Sequence, residues 1–248
     1  MVKNKRCQSR SLRKLGLLVY LFALLSCGKQ ELVTGEKLTT PAFSAIVLNS
    51  SFDVVLTQDT SYSIRFEAAE VFFPSLKYEV IDSVLYVDAD KAPRWRNPEA
   101  PKPKVYITSN RPKQIKAQET CNISSSNAII SDEFGLIMAS KLNHADLDLN
   151  CGVFYYWNNH PCGGRINLRG QTQQLKIWNY AIMAVDASNC KSAYVLVENH
   201  SKGIVRAWAK EKFEYRLSGS GNIELKGNPT ILNEIGPPEG SGQLIKIN

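Results

Sequence analysis

Leu175-Lys-Ile177-Trp-Asn179-Tyr180, Val195-Leu-Val197-Glu-Asn199-His200 and Tyr215-Arg-Leu217-Ser-Gly219-Ser220 superpose at a step of 20 residues. Within each copy apolar and polar residues alternate, the period of a strand that buries one side. Ala187 and Ala207 keep the same step, and Ile115–Ile123 matches Tyr215–Ile223 at five times that step. Leu147-Asp-Leu149-Asn-Cys151 fits Leu175–Asn179 at a step of 28, which implies an insertion of about eight residues near 157–164. A short period made of strands and turns predicts a solenoid, because one such coil cannot bury its apolar side alone. Leu147, Leu149, Leu175, Ile177, Val195, Val197, Tyr215 and Leu217 are then an inward ladder. Asn179 and Asn199 fall one above the other, where stacked amides bond each other and the backbone.

Strand signals continue upstream in Phe52–Thr57, Ser61–Phe66, Val84–Val87 and Lys104–Thr108. Each is an alternating run bounded by turn formers. The segment 93–103 holds four prolines and reads as a loop or an extended crossing. The fold class is all-β, and residues 41–248 are read as one domain, with two arrangements open for 41–110: part of the solenoid, or a small β unit of its own. With 44% hydrophobic and 21% charged residues, 248 residues suffice for a sizeable core and exclude wholesale disorder.

The first 26 residues have a different character. Lys3, Lys5, Arg6, Arg10, Arg13 and Lys14 lead into an apolar run, Leu15 to Leu25, followed by Ser26 and Cys27. Basic, apolar, small-residue order is that of a secretory signal, and the run is about half the ~20 residues a spanning helix needs. Leu24-Leu25-Ser26-Cys27 resembles a bacterial lipobox, which implies a signal peptide over residues 1–26 and a lipid on Cys27. Gly28 after it resembles outer-membrane sorting, and the polar residues 27–40 read as a tether. Six of the 30 basic residues precede Cys27 and no acidic one does, so the remainder carries 24 against 23 and the net charge falls from +7 to +1. That balance gives no electrostatic case for nucleic acid.

Ser218-Gly219-Ser220-Gly221-Asn222-Ile223-Glu224-Leu225-Lys226-Gly227-Asn228-Pro229 is similar to the signature of the "putative auto-transporter adhesin, head GIN domain" family. Phe52–Gln58 resembles the family's opening strand and Ser241–Ile247 its closing repeat. The resemblance implies a right-handed parallel β-helix-like domain with coils of ~20 residues, carried mostly by bacterial lipoproteins and secreted proteins and connected with surface adhesion. It carries over no catalytic residue and no cofactor. Where the family's repeats are small and Gly/Ser-rich, this chain has Trp178-Asn179-Tyr180 and Glu198-Asn199-His200.

Export places Cys121, Cys151, Cys162 and Cys190 in an oxidising compartment, with three connectivities open. Cys151–Cys162 is the favoured bridge because it closes a small loop; the alternative is buried or free thiols. Their spacings match no zinc pattern, and His160-Pro161-Cys162 is a weak metal hint. Asp146 and Asp148 share one side of a strand, a pair of the kind glycosidases use, but they alternate with apolar residues and read as its solvated side. Ser218-Gly219-Ser220-Gly221 reads as a tight coil turn where glycine permits positive φ, rather than as a nucleophile.

The strongest functional feature is Val153-Phe154-Tyr155-Tyr156-Trp157-Asn158-Asn159-His160. Four consecutive aromatics cannot all face one core. In the 20-residue register Trp178, Tyr180 and His200 share the outside, and with Trp157 they form a stacking platform suited to a glycan or a protein surface. The reading is a lipid-anchored cell-envelope protein of adhesion type. Alternatives are a polysaccharide-active enzyme on the same scaffold and a purely structural envelope module.

Overall fold

The computed structural model describes residues 32–90, 100–139, 141–158, 161–237 and 239–248. Residues 32–248 form one compact unit. The signal segment, Cys27, His160 and most of the proline-rich segment lie outside the described residues. Strand accounts for 67% of the described residues, wound into a β-solenoid of about six turns of roughly 21 residues.

The winding is legible in the four long strands, Lys141–Trp157, Cys162–Asn179, Ile182–Asn199 and Val205–Leu217. Each pairs in parallel with the next, residue for residue, along most of its length. A strand of 17 or 18 residues lying beside a copy of itself 20 or 21 residues later nearly closes a coil. The corners appear where the in–out alternation slips: at 152–153 in one coil, at 169–171 and 173–174 in the next, at 188–189 and 193–194 in the third. Two slips divide each of the second and third coils into three stretches, and the residue pairing carries the same division to their neighbours.

On the first stretch the inward row runs Val54, Ile123, Ala145, Ile166, Val185, Val205, Ile223, Leu244. On the third it runs Ile115, Leu136, Tyr156, Ile177, Val197, Tyr215. Ile115 and Tyr215, and Ile123 and Ile223, therefore lie in common rows five coils apart, as the sequence step requires. All eight ladder residues are buried except Tyr215, which is half-buried against the core. Nearly all of this core is one cluster running the length of the solenoid, at ~25 cal/mol per Å² of apolar surface removed from water.

Two register expectations need correction. Phe154 pairs with Leu175 and Leu147 with Leu168, so the true step is 21 and no eight-residue insertion exists. Leu217 lies beside Asn199, and Val197 is followed in its row by Tyr215, a step of 18. The cause is a pair of bulges: Ala187 pairs with Ala207 but the next pair is Lys191 with Trp208, which cuts the step from 20 to 17, and between Ser192–Ala209 and Tyr194–Lys212 one residue is regained.

Residues 41–110 join the solenoid. Ala45–Leu48 and Asp53–Gln58 pair in parallel with Gln114–Ala117 and Asn122–Ser125 on one side. On their other side they pair in parallel with Val84–Ala89 and Lys104–Ser109. Antiparallel strands then close that end: Ser63–Ala69 lies on Lys104–Ser109, and Leu76–Ile81 on Val84–Ala89. Leu32–Thr34 and Leu38–Thr39 pair with Ser63–Ala69. Parts of the tether expected to reach residue 40, Leu32–Thr34 and Leu38–Thr39, are thus strand-paired and cover an otherwise bare edge through their backbone, while the Leu32, Val33 and Leu38 side chains stay exposed.

Candidate functional site: an aromatic outer face

The third stretch of the coils sorts the aromatic run by alternation. Phe154 and Tyr156 point inward and are fully buried, whereas Tyr155 lies half-buried on the outer side and Trp157 is 37% exposed. Inside, burial pushes the Tyr156 phenol far above its ordinary value. Outside, Trp157 lies directly opposite Trp178, and the row continues through Glu198 to Arg216.

The polar partners of this row are built in. Trp178 Nε1 donates to Glu198 Oε1 at 3.0 Å. The second Glu198 oxygen lies 3.6 Å from Arg216 and 3.7 Å from His200 Nε2. One position beyond the row, the Tyr180 and His200 rings stack with centroids 4.6 Å apart and planes within 4°. The backbone N–H of Tyr180 donates to Asn158 Oδ1 at 2.8 Å, and Asn158 Nδ2 returns a bond to Tyr180 O at 3.1 Å. Sequence reasoning placed Trp157, Trp178, Tyr180 and His200 together, and the register brings them together over three coils.

Two further aromatics extend the surface and were missed. The Tyr155 ring lies on Gly135: a β-carbon there would stand 2.1 Å from the ring, and Gln114 Nε2 donates to its hydroxyl at 2.8 Å. Tyr194 donates to Glu214 at 2.7 Å beneath Lys212, and burial together with that carboxylate pushes its phenol up to about 12. The in–out alternation through Val153–Trp157 was enough to find Tyr155; Tyr194 lacked any aromatic neighbour in sequence. Half-exposed rings with pre-paired polar edges can stack on an apolar ligand face while amides and charges at the rim direct hydrogen bonds.

The other candidate residues are structural. Asn179 Nδ2 donates to Met183 O at 2.9 Å and Asn199 Oδ1 at 3.1 Å, and Asn199 Nδ2 donates to Gly203 O and Gly221 O. Asn158, Asn179 and Asn199 are fully buried and form the corner ladder. Asp146 and Asp148 both engage Arg169, Asp148 at 3.9 Å. At the Ser218–Gly221 turn, glycine serves close approach rather than positive φ. A β-carbon on Gly219 would meet Ser201 O at 2.2 Å and one on Gly221 would meet Gly203 O at 2.1 Å.

The four described cysteines are buried thiols. The bridge expected between Cys151 and Cys162 is not formed. The register puts Cys162 beside Lys141, ten residues before Cys151 on the neighbouring strand. Cys151 donates to Ile129 O and Cys162 to Met138 O. Burial pushes the Cys121, Cys151 and Cys190 thiols up to about 11, which keeps them protonated and unreactive near neutral pH. Among the described residues no group of three or more His, Cys, Asp or Glu is placed to hold a metal ion. No described helix is long and apolar enough to cross a membrane.

The family model described as "Putative auto-transporter adhesin, head GIN domain" matches residues 42–229. The chain belongs to this family. Solved structures with the same fold include a "putative adhesin" from Bacteroides fragilis, 21% identical with a TM-score of 0.78, covering 88% of this chain and 98% of that one. A "putative lipid binding protein" from Parabacteroides distasonis is 16% identical with a TM-score of 0.61, covering 89% and 98%. A "putative adhesin" from Parabacteroides merdae is 18% identical with a TM-score of 0.57, again covering 89% and 98%. No curated protein matches the chain. In this GIN-head protein the family description points to the cell envelope or surface, and the fold places the residue rows on which such a role would be built.

Proposed function

We propose that this GIN-head protein is a lipid-anchored adhesion module of the outer membrane that recognises surface glycan through its aromatic outer face. The observation that carries the reading is the in-register row Trp157–Trp178 with the Tyr180–His200 stack beside it. A structural coil needs no ring on its outer side, since inward residues supply the core; rings kept half-exposed in three successive coils suit stacking on pyranose faces.

The anchor reading rests on Leu24-Leu25-Ser26-Cys27 and the basic and apolar segments before it. Acyl chains contribute ~0.8 kcal/mol per buried CH₂, so more than one chain holds a protein at a bilayer without a spanning helix. Labelled palmitate should enter the wild-type chain in bacteria and fail to enter Cys27→Ser; label in both removes the anchor. For the binding face, a glycan array probed with wild type and with Trp178→Ala tests the reading. Signals lost in the variant support it, and identical signals sink it. Product detection on the same array separates binding from polysaccharide turnover.

A further inference from the structure

The second stretch of the coils carries a groove that neither the aromatic face nor the core uses. One open cleft of about 860 Å³ reaches from Gln58 and Arg111 to Gln173, and another of about 310 Å³ reaches from Asn150 to Trp208 and Lys210. Asn150, Cys151 and Gln173 line both, so the two are continuous. Their sizes fall in the ~300–1,000 Å³ range of ligand sites.

The floor is a single outward row. Asn150 pairs with Gln171, Gln171 with Lys191, and Lys191 with Trp208. At ~4.8 Å per rung the row spans roughly 14 Å along the solenoid axis. Gln171 Nε2 donates to Asn150 Oδ1 at 3.0 Å, which orients both amides and leaves Asn150 Nδ2 and Gln171 Oε1 for a ligand. The Lys191 ammonium stands 5.9 Å from the Trp208 ring centroid. The walls at the other end are tied together by Gln58. Its amide donates to Asn110 O at 2.8 Å and Ile130 O at 2.9 Å and accepts from Ile130 N at 2.6 Å.

Lys210 and Glu211 in this groove pair with each other at 4.0 Å, but its other charges are unmatched. Arg169 and Arg206 on the first stretch each hold two carboxylates. Among the described residues, Arg111, Lys113 and Lys191 have no acidic partner at ion-pair distance, and Asp132 and Glu133 have no cation. Open cations beside open carboxylates call for a ligand that brings both anions and hydroxyl donors. We propose that the groove binds a linear acidic oligosaccharide of the uronic-acid type. Its carboxylates meet Arg111, Lys113 and Lys191, its hydroxyls donate to Asp132 and Glu133, and one sugar ring lies on Trp208. An acidic peptide meets the cations equally well but offers Asp132 and Glu133 backbone N–H groups in place of the hydroxyl donors that every sugar ring carries.

The test is calorimetric titration of the full chain with a short polygalacturonate oligomer, with a neutral dextran oligomer and polyglutamate as comparators. Polygalacturonate should bind and weaken with added salt. Lys113→Gln with Lys191→Gln, both exposed and neutral to the fold, should raise its Kd about tenfold or more, that is by ~1.4 kcal/mol. Trp178→Ala should leave that Kd unchanged, which keeps the groove separate from the aromatic face. The proposal is overturned by absence of polygalacturonate binding, by an unchanged Kd in the lysine variant, or by loss in Trp178→Ala. Equal or tighter binding of polyglutamate also overturns it and reassigns the groove to a protein segment.

Discussion

The first and third stretches of the coil follow one rule, alternate residues outward, and end with opposite surfaces. On the first, outward Arg169 is taken by Asp146 and Asp148, and Arg206 by Asp186 and Glu224. These charges answer one another across coils. On the third, outward positions carry Trp157 together with Tyr155, Trp178, Tyr180, Tyr194 and His200; the edges of the last five are hydrogen-bonded or stacked, while part of each ring stays uncovered. One scaffold thus separates a self-satisfied surface from one with unused contact area. What differs is whether neighbouring rungs complete each other, and that is set by register.

Substitutions can break this comparison, beginning with the core that both surfaces share. Phe154→Ala removes a fully buried ring and should cost about 3–5 kcal/mol in urea unfolding; a loss under about 1 kcal/mol would mean Phe154 does not fill the inward row. Asn199→Ala leaves the Gly203 and Gly221 carbonyls without their donor and should cost about 2–3 kcal/mol. Replacement without loss would demote the corner ladder. On the ion-paired face Arg169→Ala should change stability by no more than ~1 kcal/mol, since its partners are about half exposed and water replaces them.

The smallest effect concerns pH. Burial acts to raise the Asp186 carboxyl, but the Ser188 hydroxyl and N–H and the Arg206 guanidinium hold it below its ordinary value. A carboxyl lowered in the folded state adds stability that is complete above its unfolded value, ~3.9, and lost as pH falls through the folded one. Asp186→Asn should therefore flatten the acid limb of the thermal unfolding curve below about pH 4. An unchanged limb would show that Arg206 contributes nothing through this pair.

Much of the architecture was legible because inward rows repeat by class. Ile115 and Ile123 lie under Tyr215 and Ile223 as their spacing required, and the Asn179–Asn199 contact followed from the same arithmetic. What misled was similarity of letters. Leu147-Asp-Leu149-Asn looks more like Leu175-Lys-Ile177-Trp than Phe154-Tyr-Tyr156-Trp does, yet an inward row accepts any apolar side chain, and Phe154 holds the place of Leu175. The bulge at 188–190 shortened the last step and hid two neighbours: Leu217 with Asn199, and Trp208 with Lys191. The second of these concealed the groove, because Asn150, Gln171, Lys191 and Trp208 are separated by 21, 20 and 17 residues.

In the proposed function the third stretch divides its labour, with inward residues holding the fold and outward rings making contact. Measuring glycan Kd and unfolding free energy on one protein, Trp178→Ala with Tyr180→Ala, tests it most directly. The expected result is a Kd raised at least about tenfold with under ~2 kcal/mol of stability lost, less than for Phe154→Ala. An unchanged Kd, or a protein destabilised as severely as Phe154→Ala, would contradict it.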